Sequence, residues 1–338
     1  MNNCTIIIPS HNRPKLLLRS LKYYTKFKLE LIVIYELEKI DQEIKYLFQK
    51  YSYKIQSKKL KNSTLINKLL TAGPLIKTDY CLISADDDFY EIESIIKGIK
   101  YLKKNKDFVS YLGKFIQFRK RKFHTNLYKM YNFEDKFIYD KKKFFSREFK
   151  FINSIYALYT TRAFIKIIIF QQQIQYMRQA SLEFDFYFIA LCMGKIKVSD
   201  EYWMFRDQLR YTNYDLINNS SLENEDVNQL FKIDSIFLNS SIYNRYINDL
   251  FLYLKSNNLI NINLKELKFN LNAYFQNINK SKRSKKNQNL KKIILKHCPK
   301  SILEIYYFLV YKLYLIKFSK LYLDIQKKEN FKKVLGLI

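Results

Sequence analysis

Asp79-Tyr80-Cys81-Leu82-Ile83-Ser84-Ala85-Asp86-Asp87-Asp88-Phe89 carries an apolar run directly into three consecutive carboxylates. A short run rich in aromatic and β-branched residues, ended by polar ones, predicts a buried strand. Three adjacent aspartates at its carboxyl end repel one another and raise the energy of the folded state until a cation or a set of donors compensates them. In an open α/β sheet the carboxyl ends of the strands are where ligands bind. A hard divalent cation held by one or two carboxylates and by substrate phosphates fits such a cluster. A plainer reading has Asp88 capping a helix from about Phe89 to Leu102, with Asp86 and Asp87 merely solvated. That reading accounts for one aspartate and leaves two unexplained.

The segments before this stretch alternate between strand and helix. Cys4 to Ile8 predicts a first strand, stopped by Pro9-Ser10-His11-Asn12-Arg13-Pro14. Asn12 suits a helix N-cap and Pro14 the first turn of a helix through Tyr24. Leu29 to Tyr35 predicts a second strand, Asp41 to Tyr51 a helix, and Tyr53 to Ile55 a short third strand. Ser63 to Leu70 predicts a helix closed by Gly73-Pro74, and Glu91 to Leu102 a helix after the aspartates. Alternation of this kind predicts a parallel sheet with its ligand face at the strand carboxyl ends. A loop that leaves the first strand and enters a helix amino end is a favourable place for phosphate. His11 and Arg13 cap nothing there and are candidate ligand contacts.

With these residues in view, a resemblance emerges. Thr5-Ile6-Ile7-Ile8-Pro9-Ser10-His11-Asn12-Arg13-Pro14 resembles the opening of family-2-type glycosyltransferases, in which an apolar strand runs into Pro-x-x-Asn-Arg. Ala85-Asp86-Asp87-Asp88-Phe89 resembles the Asp-x-Asp motif of the GT-A fold, in a sub-branch that writes it as a triple aspartate. The resemblance implies an α/β, Rossmann-like GT-A fold with a mostly parallel central sheet flanked by helices. It implies a nucleotide-sugar donor held by the first loop, at Pro9, Ser10, Asn12 and Arg13. It implies a divalent cation, Mn²⁺ or Mg²⁺, with Asp88 as ligand and Asp86 as its donor-side companion. Asp87 is grouped with the donor-binding residues without a role of its own. Many members carry an Asp-Asp-Gly-Ser turn after the second strand, whose aspartate reads the base. Here Tyr35-Glu36-Leu37-Glu38 stands in that place, with Glu36 as the substitute.

Further along, Tyr111 to Phe118 predicts a strand, and Arg119 to Lys150 has no clean period. The latter is read either as a long excursion over the active face that carries acceptor recognition or as a surface insertion. Ile152 to Thr160 predicts a strand, followed by a helix from Ala163 to Tyr176. Ser181 to about Met193 predicts another helix ended by Gly194, then a strand at Lys195 to Val198, then Tyr202-Trp203-Met204-Phe205-Arg206-Asp207. This order of elements also resembles the sub-branch, whose catalytic base opens the helix. Glu183 and Asp185, two residues apart, point about 200° away from one another on that helix, so one of them faces the site. Glu183 is the expected base and Asp185 the reserve; the alternative is that both acids simply favour the positive helix end. Arg206 is expected to meet a diphosphate or an acceptor phosphate, because a guanidinium offers paired donors.

Composition sets the outer bounds. At 338 residues, with 48% hydrophobic and 27% charged residues, the chain has an ordinary globular balance. Gly (5) and Pro (4) are too scarce for an all-β fold built on tight turns. Cys4, Cys81, Cys192 and Cys298 lie far apart with no CxxC spacing, which predicts reduced thiols in a cytoplasmic protein. Met1-Asn2-Asn3 leads directly into a strand, so no signal peptide is expected, and no uncharged apolar segment approaches the ~20 residues that span a bilayer.

The net charge of +29 is carried mostly by lysine and has two readings. Codon usage favouring Lys, Asn, Ile and Tyr explains it without a partner; attraction to an anionic membrane surface or nucleic acid explains it with one. The lysines are scattered and no nucleic-acid-binding motif appears, so no nucleic-acid partner is expected.

Two domains are expected: 1–215 catalytic, with a nucleotide-sugar half at about 1–110 and an acceptor half at about 111–215, and 216–338 all-helical. Leu230, Ile233, Ile236 and Phe237 form one apolar stripe, and Tyr243, Ile247, Leu250, Phe251 and Leu254 another. Ser281-Lys282-Arg283-Ser284-Lys285-Lys286 is read as a basic linker. Ile302 to Leu323, aromatic and aliphatic nearly all round with basic flanks, is either core or an interfacial anchor on the inner face of the cytoplasmic membrane. The expected activity is metal-dependent, inverting sugar transfer to a glycan or lipid-linked acceptor hydroxyl in surface glycan biosynthesis. A nucleotidyltransferase of related fold and a basic nucleic-acid-binding protein are the rivals. The former is disfavoured because no glycine precedes Gly73.

Overall fold

The computed structural model describes residues 3–120, 125–129, 138–145, 154–177, 181–207 and 240–283. Ten strands form one sheet: β1 (Cys4–His11), β2 (Glu30–Glu36), β3 (Ile55–Lys59), β4 (Tyr80–Ile83), β5 (Asp88–Tyr90), β6 (Phe108–Lys120), β7 (Thr125–Lys129), β8 (Ile138–Tyr139), β9 (Leu158–Thr160) and β10 (Lys195–Asp207). The helices are α1 (Pro14–Tyr24), α2 (Gln42–Lys50), α3 (Leu65–Ala72), α4 (Ile92–Lys104), α5 (Lys141–Phe145), α6 (Thr161–Gln173), α7 (Leu182–Met193), α8 (Ser241–Ser256) and α9 (Leu264–Arg283).

The strand order is β3-β2-β1-β4-β9-β6-β10-β5, with β7 on β6 and β8 on β10. Pairing is parallel throughout β3-β2-β1-β4 and again between β6 and β10. β9 lies antiparallel to both β4 and β6, and so β4, β6 and β10 all run the same way. The carboxyl ends of β1, β2, β4 and β10 therefore share one edge of the sheet. β5 joins this edge by pairing antiparallel with β10, its Asp88 directly opposite Arg206. The α/β class with helices flanking a central sheet is as expected. Antiparallel strands are concentrated in the half beyond β4.

The middle of β1 and all of β4 are buried on both faces: Ile6, Ile7, Ile8, Cys81 and Leu82 are inaccessible to solvent. Right-handed crossovers place α1 and α2 together on one face, while α3 packs against α6. Thr160, Asp41 and Thr64 cap α6, α2 and α3 through their side-chain oxygens, which ends the preceding segments where the sequence indicates.

Four local expectations are corrected. Asn12 does not cap α1: it sits in the left-handed region at φ 46°, its N–H bonds to the Glu36 carbonyl, and Arg13 is the N-cap residue without a side-chain cap bond. Asn tolerates that conformation better than most residues. Asp88 caps no helix; it opens β5, and α4 begins only at Ile92 because the β10 edge captures Asp88 to Tyr90 first. β3 starts where it was expected to end, at Ile55. Residues 281–283 belong to α9, so the expected basic linker starts no earlier than Ser284.

The two expected segments Lys195–Val198 and Tyr202–Asp207 are one strand, β10, kept on β6 through register shifts at Val198/Tyr202 and Tyr202/Met204. Part of the unpatterned 119–150 stretch is regular: β7 folds back on β6, and β8 lies on β10. Of the stripe Tyr243, Ile247, Leu250, Phe251 and Leu254 in α8, all are buried except Phe251, which is partly exposed. The stripe at Leu230 to Phe237 and the segment Ile302 to Leu323 lie outside the described residues. Among the described residues no helix is long and apolar enough to cross a membrane.

Candidate active site

The triple aspartate lies in the turn between β4 and β5, and all three side chains are buried (Asp86 and Asp88 0%, Asp87 2% exposed). Burying carboxylates is costly unless charge and donors answer them. Arg13, at the start of α1, places Nη2 2.6 Å from Asp86 Oδ1 and Nη1 3.8 Å from Asp87 Oδ2. Ser10, at the end of β1, donates its hydroxyl to Asp86 Oδ2 at 2.7 Å. Arg206 donates from Nε to Asp88 Oδ1 at 2.8 Å and from Nη2 to Asp88 Oδ2 at 2.7 Å. This is the two-pronged guanidinium–carboxylate geometry, set up by the cross-strand register of β5 and β10. Burial works against the Arg206 charge, but Asp88 and Asp87 outweigh it and hold the guanidinium protonated. Its plane lies over the Tyr156 ring at 4.5 Å.

A second set of contacts, not legible in the sequence, shapes the aspartate turn. The Tyr24 hydroxyl meets Ser84 Oγ at 2.9 Å and donates to the Asp88 carbonyl at 3.2 Å, while accepting from the Tyr90 N–H at 3.1 Å. Tyr23 donates to the Tyr90 carbonyl, and Tyr90 to the carbonyls of Ile83 and Tyr156. Burial pushes the Tyr24 and Tyr90 hydroxyls far above the usual phenol range, so they remain neutral donors. Tyr23 and Tyr24 are two of 29 tyrosines at the end of an amphipathic helix, and nothing in their spacing separates them from ordinary core residues.

Glu36, the expected reader of the base, has its carboxylate engaged by the loop after β3. It accepts from the Asn62 N–H at 2.8 Å and the Ser63 N–H at 3.3 Å, and it lies 2.9 Å from His11 Nδ1 and 3.8 Å from Lys68 Nζ. Burial alone raises its pKa, yet the backbone donors and His11 together bring it below the usual carboxylate value. Pro9 is buried within β1 beside β2.

Glu183 and Asp185 diverge on α7 as the helical angle requires. Asp185 is turned into the core, fully buried, where it accepts from Tyr246 Oη of α8 and from Gln171 Nε2 of α6. Burial pushes its pKa up to about 7, against the lowering effect of those donors. Glu183 is the acid of the pair that keeps partial exposure. The structure thus brings together Ser10, Arg13, Asp86, Asp87, Asp88 and Arg206, leaves Glu36 with His11 at the next strand end, and turns Asp185 away.

The fit of a divalent cation rests on the chemistry of this donor set. Three carboxylates in one turn are hard oxygen donors of the kind Mg²⁺ and Mn²⁺ take, and such ions are commonly held by one or two carboxylates plus substrate phosphates. Among the described residues no group of three or more His, Cys, Asp or Glu side chains is arranged to hold a metal ion. Arg206 stands on both oxygens of Asp88 and must share or leave them.

No family model matches this sequence, and no curated protein does. The fold is similar to crystal structures of S. aureus TarS. The whole TarS chain matches at a TM-score of 0.45 and 15% identity over 79% of this chain, which accounts for 50% of TarS, so this chain spans about half the length of that relative. TarS 1–349 in complex with UDP-GlcNAc matches at 0.45 and 15% over 81% of this chain and 79% of the fragment. The same fragment with UDP matches at 0.43 and 15% over 75% of this chain and 71% of the fragment.

Proposed function

We propose that this protein is a metal-dependent glycosyltransferase that moves a sugar from a nucleotide-sugar donor to an acceptor hydroxyl with inversion at the anomeric carbon. The observation that carries this reading is the pair of guanidinium groups, Arg13 and Arg206, set against the buried triple aspartate where the carboxyl ends of β1, β4 and β10 meet. Two cations and a carboxylate turn at one strand-end edge of the sheet suit a diphosphate with its counter-ion. The motifs Pro9-Ser10-His11-Asn12-Arg13 and Asp86-Asp87-Asp88 resemble those of family-2-type enzymes and point the same way.

In this reading Asp88 holds Mg²⁺ or Mn²⁺ with Asp86 as companion. A bound divalent cation supplies neutralisation of the charge that grows on the departing diphosphate. Arg13 and Ser10 fix Asp86, and Arg13 faces the donor from the amino end of α1, where backbone N–H groups also favour phosphate. Glu36 and His11 shape the wall beside the base. Glu183 accepts the proton of the acceptor hydroxyl as its oxygen attacks the anomeric carbon and the bond to the diphosphate breaks. Asp185 has a positioning part, tying α7 to α6 and α8. The acceptor is a glycan or lipid-linked hydroxyl, and residues 302–323 hold the protein peripherally on an anionic membrane.

The test is a panel of nucleotide sugars assayed for hydrolysis with and without Mn²⁺. One donor is expected to be hydrolysed in a metal-dependent way, and Asp88→Ala is expected to reduce that turnover by at least ~10²-fold, the scale of losing one electrostatic contributor to a transition state. Full activity in Asp88→Ala removes the metal role. If Glu183→Gln transfers normally while Asp185→Asn does not, the base is misassigned.

A further inference from the structure

A buried Asp88 and an Arg206 whose side chain is 15% exposed, joined by two hydrogen bonds across β5 and β10, raise a question the transferase reading leaves open. A carboxylate with both oxygens on one guanidinium is already neutralised, and a divalent cation arriving there meets a positive charge. The same guanidinium offers five donors in a plane. On Asp88 it uses Nε and Nη2, and its Cζ lies 4.5 Å from the centroid of the Tyr156 ring.

The geometry points to Arg206 as the resident counter-ion of Asp88, displaced when a divalent cation takes the carboxylate and then turned to the diphosphate that arrives with that cation. This rests on the transferase reading for the identity of the diphosphate, but not for the exchange itself, which is a property of the free protein. Three features of the fold support it. Asp88 is fully buried and the Arg206 side chain is only 15% exposed, so leaving the carboxylate unanswered is costly and it needs a replacement partner before the two separate. Arg13 already answers Asp86 and also lies near Asp87, so Arg206 is the natural partner to be exchanged. Arg206 is also the penultimate residue of β10, at the strand-end edge where the donor is placed, so turning its side chain moves no backbone within the sheet. The exchange makes cation and diphosphate bind cooperatively: each replaces a partner that the other has removed.

The experiment measures Mn²⁺ binding to the full chain without nucleotide, by the loss of the free-ion paramagnetic resonance signal, and thermal melting with and without Mn²⁺. Arg206→Gln is expected to bind Mn²⁺ roughly ten-fold tighter than the parent, the scale of losing a charge-assisted competitor. It is expected to melt lower than the parent without metal and to gain more from Mn²⁺. Adding Asp88→Asn to that variant is expected to cancel the gain. Arg206→Lys, which keeps the charge but not the paired donors, guards against misfolding of the Gln variant and is expected to fall between. UDP added as a diphosphate probe is expected to tighten Mn²⁺ binding in the parent more than in Arg206→Gln. Equal Mn²⁺ affinity in parent and Arg206→Gln, or a gain that survives Asp88→Asn, overturns the exchange. The transferase reading fails separately: a chain that shows the exchange but hydrolyses no nucleotide sugar loses its activity assignment and keeps this one.

Discussion

Asp185 shows how one carboxylate can be displaced from the role its sequence position suggests. It lies two residues from Glu183, yet the helix sends it into the core, onto Tyr246 and Gln171. With its pKa pushed up by burial to about 7, the folded state holds a proton between the ordinary aspartate range and neutrality that the unfolded chain has released. Stability from this residue is therefore complete in acid and lost as pH rises through about 7, to a total on the order of 4 kcal/mol if the whole shift is expressed. Asp185→Asn is expected to flatten that slope. Its melting temperature at pH 8 should exceed the parent's, and that advantage should shrink with falling pH until it is gone below about pH 4, the ordinary aspartate range. Gln171 Oε1 has no hydrogen-bond partner among the described residues, so a flip of the Gln171 amide can receive the new donor. A parent whose stability rises between pH 5 and pH 8, with Asp185→Asn following it, contradicts this. The same residue was legible in the sequence as an acid opening a helix, but not as a buried one, because its partners lie 14 and 61 residues away.

At the scale of elements, β6 and β10 are parallel neighbours in the half of the sheet beyond β4, and Gly113 of β6 lies tight against β10. A Cβ at Gly113 would lie 2.4 Å from the Glu201 carbonyl oxygen, a backbone atom that cannot swing aside. Gly113→Ala is expected to cost about 1–3 kcal/mol, as overpacking in a well-packed interior does. The check is a urea titration, with an unchanged midpoint ruling out the close approach. The shifts of register around Val198 and Tyr202 bring Glu201 inward there, and with them Arg206 reaches its place opposite Asp88. Sequence periodicity found both flanking segments of β10 and the glycine, but not the bulge that unites them. Bulges are fixed by the neighbouring strand, and β6 lies some 90 residues earlier in the chain.

Over the whole molecule, α8 and α9 pack onto the body that carries the sheet. Phe184 of α7 packs on Tyr274 and Phe275 of α9, and Phe170 of α6 on Tyr253 of α8. A truncation that probes membrane attachment must therefore come after Arg283, because removing α9 would expose Phe184 and its neighbours. With vesicles containing anionic lipid, the full chain is expected to co-sediment and a chain ending at Arg283 to stay in solution, with the difference reduced at high salt. Equal sedimentation of both assigns the attraction to the lysine-rich surface instead of the final segment.

By itself the amino-acid sequence determined the α/β alternation, the strand-end position of the three aspartates and the loop that leaves the first strand. Those features are written in local periodicity, in Pro and Asn punctuation and in an acidic run with no local neutraliser. Only the tertiary structure decided which cation meets which carboxylate: Arg13 with Asp86, Arg206 with Asp88. It also decided that tyrosine hydroxyls hold the turn and that Asp185 belongs to the core. The pairs Arg13–Asp86, Arg206–Asp88, Tyr24–Asp88 and Tyr246–Asp185 each join residues more than 60 positions apart. Their meeting depends on strand order and register, which arise from burying the whole sheet at once and leave no trace in any single stretch of chain.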